Sequence, residues 1–106
     1  MASEPFSNLT SAEVERLALL SEECAEVIQV IGKILRHGYE SMPPNGGPVN
    51  RELLEQELGD VEYAMGLLCE CGDLNSETIE AHADDKADRV QEFLHEVHER
   101  KDSDGK

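Results

Sequence analysis

Two long stretches of this chain repeat apolar residues at steps of four and three, the spacing that keeps side chains on one side of an α-helix. These rows are Leu20, Cys24, Val27, Ile31 and Ile34 in the first stretch, and Leu54, Leu58, Val61, Met65 and Leu68 in the second. No strand-period alternation competes with this spacing. The predicted fold class is therefore all-α, a helical bundle of about three main helices per chain, completed by homo-oligomerisation.

Signals at the ends of the first stretch set its boundaries. Thr10 and Glu13 have the spacing of a capping box, and Gly38 can supply the closing residue, which predicts helix one at about residues 11–36. The following segment, 37–50, contains adjacent prolines and adjacent glycines, so it cannot continue a helix or a strand. It is predicted to be a long loop.

Two further helices follow the loop. Asn50 is predicted to cap helix two, which runs to about Cys71, and Asn75 or Ser76 to cap helix three, which runs to about Arg100. The predicted domain organisation has three parts: a flexible N-terminus at 1–10, one helical domain at 11–100 that includes the loop at 37–50, and a disordered tail at 101–106.

The charge of the chain excludes several classes of partner. Its 106 residues include 24 acidic and nine basic side chains, a formal net charge of -15, which repels phosphate backbones and anionic lipid headgroups. We therefore expect no nucleic-acid and no membrane partner. The N-terminus lacks the regions of a signal peptide, and the three cysteines are an odd number within helical patterns. A cytoplasmic location is predicted.

Acidic side chains interrupt a second row on each of the first two helices. These rows are Leu19, Glu23, Glu26 and Val30 on helix one, and Leu53, Glu57, Asp60, Ala64 and Leu67 on helix two. One such acid pair alone fits a solvated helix face. Two pairs brought together between packed helices would repel one another and lose their hydration, a cost that a cation must offset. Oxygen-only ligands favour Mg²⁺, with Mn²⁺ as a substitute, over zinc.

A metal site of this kind predicts a phosphate ligand. Mg²⁺ that bridges protein carboxylates and phosphate oxygens would let a polyanion such as a nucleoside triphosphate approach this acidic surface. Lys33 lies seven residues beyond Glu26, and Arg36 follows at the end of helix one. Both are candidates for phosphate binding, although cations are also common at a helix C-terminus for electrostatic reasons.

Two motifs in order carry a resemblance to a known family. EExxE at 22–26 and ExxD at 57–60, with KILRHG at 33–38 and Lys86 on the last helix, resemble the signature of the MazG-like, all-α nucleoside triphosphate pyrophosphohydrolases over about residues 11–97. The chain departs from the family where Ala87 follows Lys86 in place of a phenylalanine.

The resemblance implies an activity and roles for individual residues. The reaction is hydrolysis of a nucleoside triphosphate between the α and β phosphorus atoms, which gives a monophosphate and pyrophosphate. Glu23, Glu26, Glu57 and Asp60 match the metal ligands, and Glu22 matches a residue that orients water or supports the ligands. Lys86 joins Lys33 and Arg36 as a phosphate contact. For base stacking, Tyr39 in the loop is preferred to Phe6.

Other interpretations remain open at this stage. The chain could be a non-catalytic acidic interaction or regulatory protein, or its substrate could be another phosphoanhydride, such as a phosphoribosyl nucleotide or an alarmone. His95 and His98 form a further, less favoured metal pair. The two apolar rows on each of helices one and two exceed what three helices can cover, so we expect a homodimer or a homotetramer.

Overall fold

The computed structural model describes residues 6–94 and 96–100. In these ranges the chain forms three α-helices and no strand: α1 at Ser11–His37, α2 at Asn50–Glu70 and α3 at Ser76–Val90. The predicted all-α class is confirmed for this part of the chain. The predicted disordered tail, residues 1–5 of the predicted flexible N-terminus, and His95 lie outside the described residues. Within those same ranges, no helix is both long enough and apolar enough to cross a bilayer.

α1 begins at the predicted capping box. The Thr10 hydroxyl accepts a hydrogen bond from the Glu13 N–H at 3.1 Å, and the Thr10 N–H donates to the Glu13 carboxylate at 2.8 Å. At the other end, Gly38 has φ 90°, which a side chain would disfavour, and its N–H donates to the Ile34 carbonyl. Sequence signals thus define both ends of this helix within one residue.

α2 does not begin as predicted. Val49 is its N-cap and makes no side-chain capping bond, while Asn50 is the first helical residue and is buried. The Asn50 side chain instead donates from Nδ2 to the Gly38 carbonyl at 3.1 Å. The prediction that Asn50 caps the helix is wrong because its amide is used to hold the end of α1 against the start of α2.

α3 begins where predicted and ends earlier. The Asn75 side chain accepts a hydrogen bond from the Thr78 N–H at 3.0 Å, which confirms it as the cap. The helix ends at Val90, because the chain then closes into tighter turns in which Glu92 and Phe93 donate to carbonyls three residues back. The prediction of a helix to about Arg100 is wrong by ten residues.

The chain divides into two compact units, Met1–Leu74 and Asn75–Lys106. In the first unit α1 packs along α2. The buried apolar side chains of the described residues are few: Val30, Ala64 and Leu68. Other members of the apolar rows stay accessible, such as Ile31 at 40% and Leu58 at 48% exposure. One copy of the hairpin therefore leaves much apolar surface in water.

Candidate metal centre

The two rows that carry acids lie at the contact between α1 and α2. Val30 and Ala64, which belong to these acidic rows, are 7% and 0% exposed, whereas Cys24 and Ile31 of the uninterrupted row on α1 are exposed. Three of the four carboxylates, those of Glu23, Glu26 and Glu57, are thus partly covered at this contact, whereas Asp60 is exposed.

Four carboxylates converge at this contact. Glu23 and Glu26 of α1, and Glu57 and Asp60 of α2, each place one oxygen so that all four oxygens lie within 4.8 Å of one another. Glu23, Glu26 and Glu57 are half-buried, and Asp60 is exposed. Spacing of three residues on each helix places two acids one turn apart, and the packing of the helices brings the pairs together.

One oxygen of this cluster has no partner. Glu57 Oε2 is inaccessible to solvent and makes no hydrogen bond. Among the described residues it is the one side-chain polar atom of which both are true. An unpartnered buried acceptor, especially on a charged group, is costly and is rare in folded proteins. The residue that carries this atom belongs to a group of four carboxylates, so a cation at the cluster would offset the cost of its burial.

Burial and the neighbouring carboxyl groups raise the pKa of two of these residues. Burial, followed by the charges of Glu26 and Asp60, raises the pKa of the Glu23 carboxyl. Contact with the Glu26 carboxyl, followed by burial, raises the pKa of the Glu57 carboxyl. Two carboxylates offer no donor, so Glu26 and Glu57 can share a hydrogen bond only when one is protonated. A proton or a metal ion relieves the same repulsion.

The chemistry of these ligands identifies the kind of ion that they fit. All four are oxygens, and no cysteine or histidine of the described residues belongs to the cluster. Hard oxygen ligands suit Mg²⁺ and Mn²⁺, whereas zinc sites draw on nitrogen and sulfur. Facing helices that each supply acids one turn apart are a common way to build a metal site within a helical protein. The residues therefore fit a divalent hard cation.

The other predicted site residues lie in several places. Glu22 is exposed and its charge contributes to the raised pKa of Glu23. Lys33 and Arg36 line a pocket of about 440 Å³ beside the α1–α2 loop. Lys86 is exposed on α3, which belongs to the second unit. The structure thus brings the four predicted ligands together, whereas the two cations of α1 lie at a separate pocket of the same unit and Lys86 lies in the other unit.

Tyr39, the predicted base-stacking residue, contacts a residue that sequence analysis did not single out. The Arg51 guanidinium lies 4.4 Å from the centre of the Tyr39 ring and also donates two hydrogen bonds to Glu40 Oε2, at 2.6 and 3.1 Å. Tyr39 does not line the pocket that holds Lys33 and Arg36. Its role in stacking stays a prediction.

Sequence analysis missed the walls of that pocket. Met42, Pro43, Pro44 and Leu53 form its apolar part, and the buried Asn50 contributes a polar side chain. The paired prolines were visible as loop signals, but the spacing gives no indication that the loop folds back over the end of α1. The use of the Asn50 amide in place of a cap was equally invisible.

Comparisons of the chain with protein-family models, with curated proteins and with solved structures found no match. The assignment of a function therefore depends on the site itself.

Proposed function

We propose that the protein is a Mg²⁺-dependent nucleoside triphosphate pyrophosphohydrolase of the cytoplasm, which cleaves between the α and β phosphorus atoms and releases a monophosphate and pyrophosphate. The single observation that carries the proposal is the convergence of four carboxylates, one of which, Glu57, has a buried oxygen without a hydrogen-bond partner. The order and spacing of the EExxE and ExxD motifs, which resemble the MazG-like signature, supply the reaction.

Each group has a role in this hypothesis. Glu23, Glu26, Glu57 and Asp60 hold the ion, and the exposed Glu22 supports Glu23 or orients water. When bound, Mg²⁺ supplies positive charge that polarises the phosphate oxygens and activates the attacking water. Lys33 and Arg36 bind phosphate oxygens from the end of α1, and Lys86 stays a candidate phosphate contact on the strength of the resemblance alone. Phosphoryl-group chemistry depends mainly on such positioning and charge, so no covalent intermediate is required.

The test is hydrolysis of a panel of deoxynucleoside and ribonucleoside triphosphates with and without Mg²⁺, with the products separated by anion exchange. Pyrophosphate in equal amount to the monophosphate is expected. Orthophosphate as the first product would refute the proposed bond, and equal rates in excess chelator would refute the metal requirement.

Two variants on α2 separate the cluster from its surroundings. Glu57→Gln removes the charge of one proposed ligand. Loss of a group that only supports a ligand lowers activity about 10–100-fold, so loss of the ligand itself should lower the rate further. Glu62→Gln makes the same chemical change at an exposed position outside the cluster and should leave the rate within about twofold. Full activity in Glu57→Gln would refute the proposed cage.

The alternative function, a non-catalytic acidic interaction protein, predicts no metal requirement. Calorimetry with Mg²⁺ and Mn²⁺ distinguishes the two. If neither ion binds, and if replacement of the four acids by leucine stabilises the protein whether or not metal is present, the interaction protein is favoured over the hydrolase.

A further inference from the structure

The pocket beside the α1–α2 loop has an unusual charge for this chain. Lys33 and Arg36 both line it, and none of its lining residues in the described part of the chain carries a carboxylate. Neither cation has a carboxylate partner within ion-pair distance among the described residues. On a protein with 24 acidic and nine basic residues, two unpaired cations at one cavity indicate an anionic ligand.

The rest of the lining has a different character. Met42, Pro43, Pro44 and Leu53 give the pocket an apolar wall, and its volume of about 440 Å³ lies within the about 300–1,000 Å³ of small-molecule sites. A free phosphate would gain nothing from such a wall. A ligand with one anionic end and one flat apolar part, such as a nucleotide, uses both features.

The pocket is close to the carboxylate cluster along both helices. Leu53 is four residues before Glu57 on α2, about 6 Å along the helix axis, and Lys33 is seven residues after Glu26 on α1, about 10 Å. One extended nucleoside triphosphate is longer than either span. A nucleotide with its phosphates at the cluster and at Lys33 and Arg36 therefore places its base at the loop.

Asn50 offers a specific hydrogen-bonding group at this pocket. The residue is 5% exposed, and its Nδ2 donates to the Gly38 carbonyl, so the orientation of the amide is fixed. No donor among the described residues is hydrogen-bonded to its Oδ1. Unlike Glu57 Oε2, this oxygen is not fully buried, so it keeps some accessible surface. An acceptor in this position favours a ligand that brings an N–H.

We propose that this pocket receives the nucleobase of the substrate at its apolar wall and phosphate oxygens at Lys33 and Arg36, and that Asn50 Oδ1 selects bases with an exocyclic amino group over bases with a carbonyl at the same position. The inference rests on the proposed function and adds to it the class of base. Cytosine and uracil differ along one edge of the ring: the group at C4 is an amino donor in cytosine and a carbonyl acceptor in uracil, and N3 is an acceptor in cytosine and an N–H donor in uracil. Their comparison tests whether Asn50 Oδ1 faces the group at C4. A carbonyl would face the Asn50 oxygen with no hydrogen between the two acceptors.

The experiment measures the equilibrium binding of dCMP and of dUMP in EDTA. Calorimetry gives the affinities, and NMR chemical shifts of the Asn50 amide and the Met42 methyl group locate the bound ligand. Nucleoside monophosphates are used with chelator so that binding does not depend on a metal ion at the carboxylate cluster. We expect both ligands to shift these signals and dCMP to bind about 2–10-fold more tightly, the range expected for one hydrogen bond. Equal affinities would overturn the selection by Asn50, and the absence of shifts at millimolar ligand would overturn the pocket.

Two substitutions of loop residues locate the site. Ser41→Phe fills the pocket, which Ser41 lines, and should weaken dCMP binding at least about tenfold. Asn45→Phe adds the same ring to the same loop at an exposed position outside the pocket and should not change the affinity. Equal weakening by both, or by neither, would overturn the location of the base.

A third variant tests the role of the amide. Asn50→Leu keeps a similar volume and removes Oδ1 together with the bond to Gly38, so its folding is checked by thermal unfolding. General loosening would weaken both ligands alike. Loss of the preference for dCMP over dUMP supports the proposal, and an unchanged preference refutes it. If dCMP is preferred but no triphosphate is hydrolysed with Mg²⁺, the hydrolase fails and the base pocket stands.

Discussion

The Arg16 guanidinium of α1 donates two hydrogen bonds, at 2.6 and 3.0 Å, to the carboxylate of Asp73, which lies 57 residues later in the chain. Both side chains are largely covered, at 20% and 14% exposure. This bidentate pair joins the first half of α1 to the residues that follow α2. It therefore closes the hairpin at the end opposite the loop.

The pair predicts a specific dependence of stability on pH. The hydrogen bond from Arg16, followed by its charge, lowers the pKa of the Asp73 carboxyl. A lowered pKa in the folded state gives stability that is present above the ordinary aspartate pKa of about 3.9 and is lost as the pH falls through the lowered value. Asp73→Asn should thus be less stable than the wild type at pH 7, and the difference should shrink below about pH 4.

Urea unfolding of both proteins from pH 3 to pH 7 measures this difference. Asp84→Asn, at an exposed position on α3 without an ion pair among the described residues, is the control and should follow the wild type throughout. A difference between Asp73→Asn and the wild type that is constant over the whole range would contradict the ion pair as its cause.

The carboxylate cluster predicts opposite effects of one substitution with and without metal. In EDTA, Glu57→Gln should raise the melting temperature, because it removes charge from a half-buried carboxylate that lies beside three others and has one buried oxygen without a partner. With millimolar Mg²⁺ the wild type should become the more stable protein, because an ion that binds only the folded state stabilises it by mass action. Differential scanning calorimetry in the two buffers tests this reversal, and an identical order of melting temperatures in both buffers is the contrary result.

The small core of the hairpin predicts a large effect of one apolar truncation. Leu68 is fully buried, so Leu68→Ala should lower the free energy of unfolding by about 2–5 kcal/mol through lost burial and the remaining cavity. Leu94→Ala, at a residue that is 52% exposed, should change it by no more than about 0.5 kcal/mol. Chemical denaturation of the two variants compares them, and similar losses would mean that Leu68 is not the centre of the core.

An exposed apolar row on α1 predicts self-association. The row consists of Leu17, Cys24, Ile28, Ile31 and Leu35. Within it Ile28 is 69% and Leu35 82% exposed, more than a solitary helix face of a soluble chain usually leaves in water. We expect a homodimer or homotetramer by light scattering, and Ile28→Glu should reduce the measured mass.

The neighbouring residue provides the control for this prediction. Gln29→Glu adds the same charge one residue further along, at an exposed polar position, and should leave the mass unchanged. A wild type that is monomeric at micromolar concentration would contradict the expected assembly.

Sequence reasoning reached the helices because their signals are local. The capping box at Thr10, the glycine at 38 and the cap at Asn75 depend on neighbours within a few residues, and the structure contains all three. The end of α3 could not be placed in the same way. The apolar spacing continues through Phe93 and Val97, yet the helix ends at Val90. No residue of α3 is buried, so packing does not stabilise a longer helix.

The carboxylate cluster was predictable for a different reason. Two acid pairs at matching spacing on two adjacent helices meet if the helices pack through the faces that carry them, and the structure has this packing. The pocket was not predictable, because it depends on how a segment without regular structure lies against the helix ends. Asn50 illustrates the limit: its sequence context fits a cap, and only the path of the loop gives its amide a different partner.

The loop between α1 and α2 is held by hydrogen bonds at both of its ends. Asn50 bonds to Gly38 and Ser41, and the Arg51 N–H donates to the Tyr39 carbonyl, whereas the tip at 43–47 is closed by one turn in which the Gly46 N–H donates to the Pro43 carbonyl. Insertions or replacements at such a tip leave the anchored helices undisturbed. The part of the pocket wall that the loop supplies can therefore change in sequence or length while the acidic cluster between the anchored helices keeps its geometry.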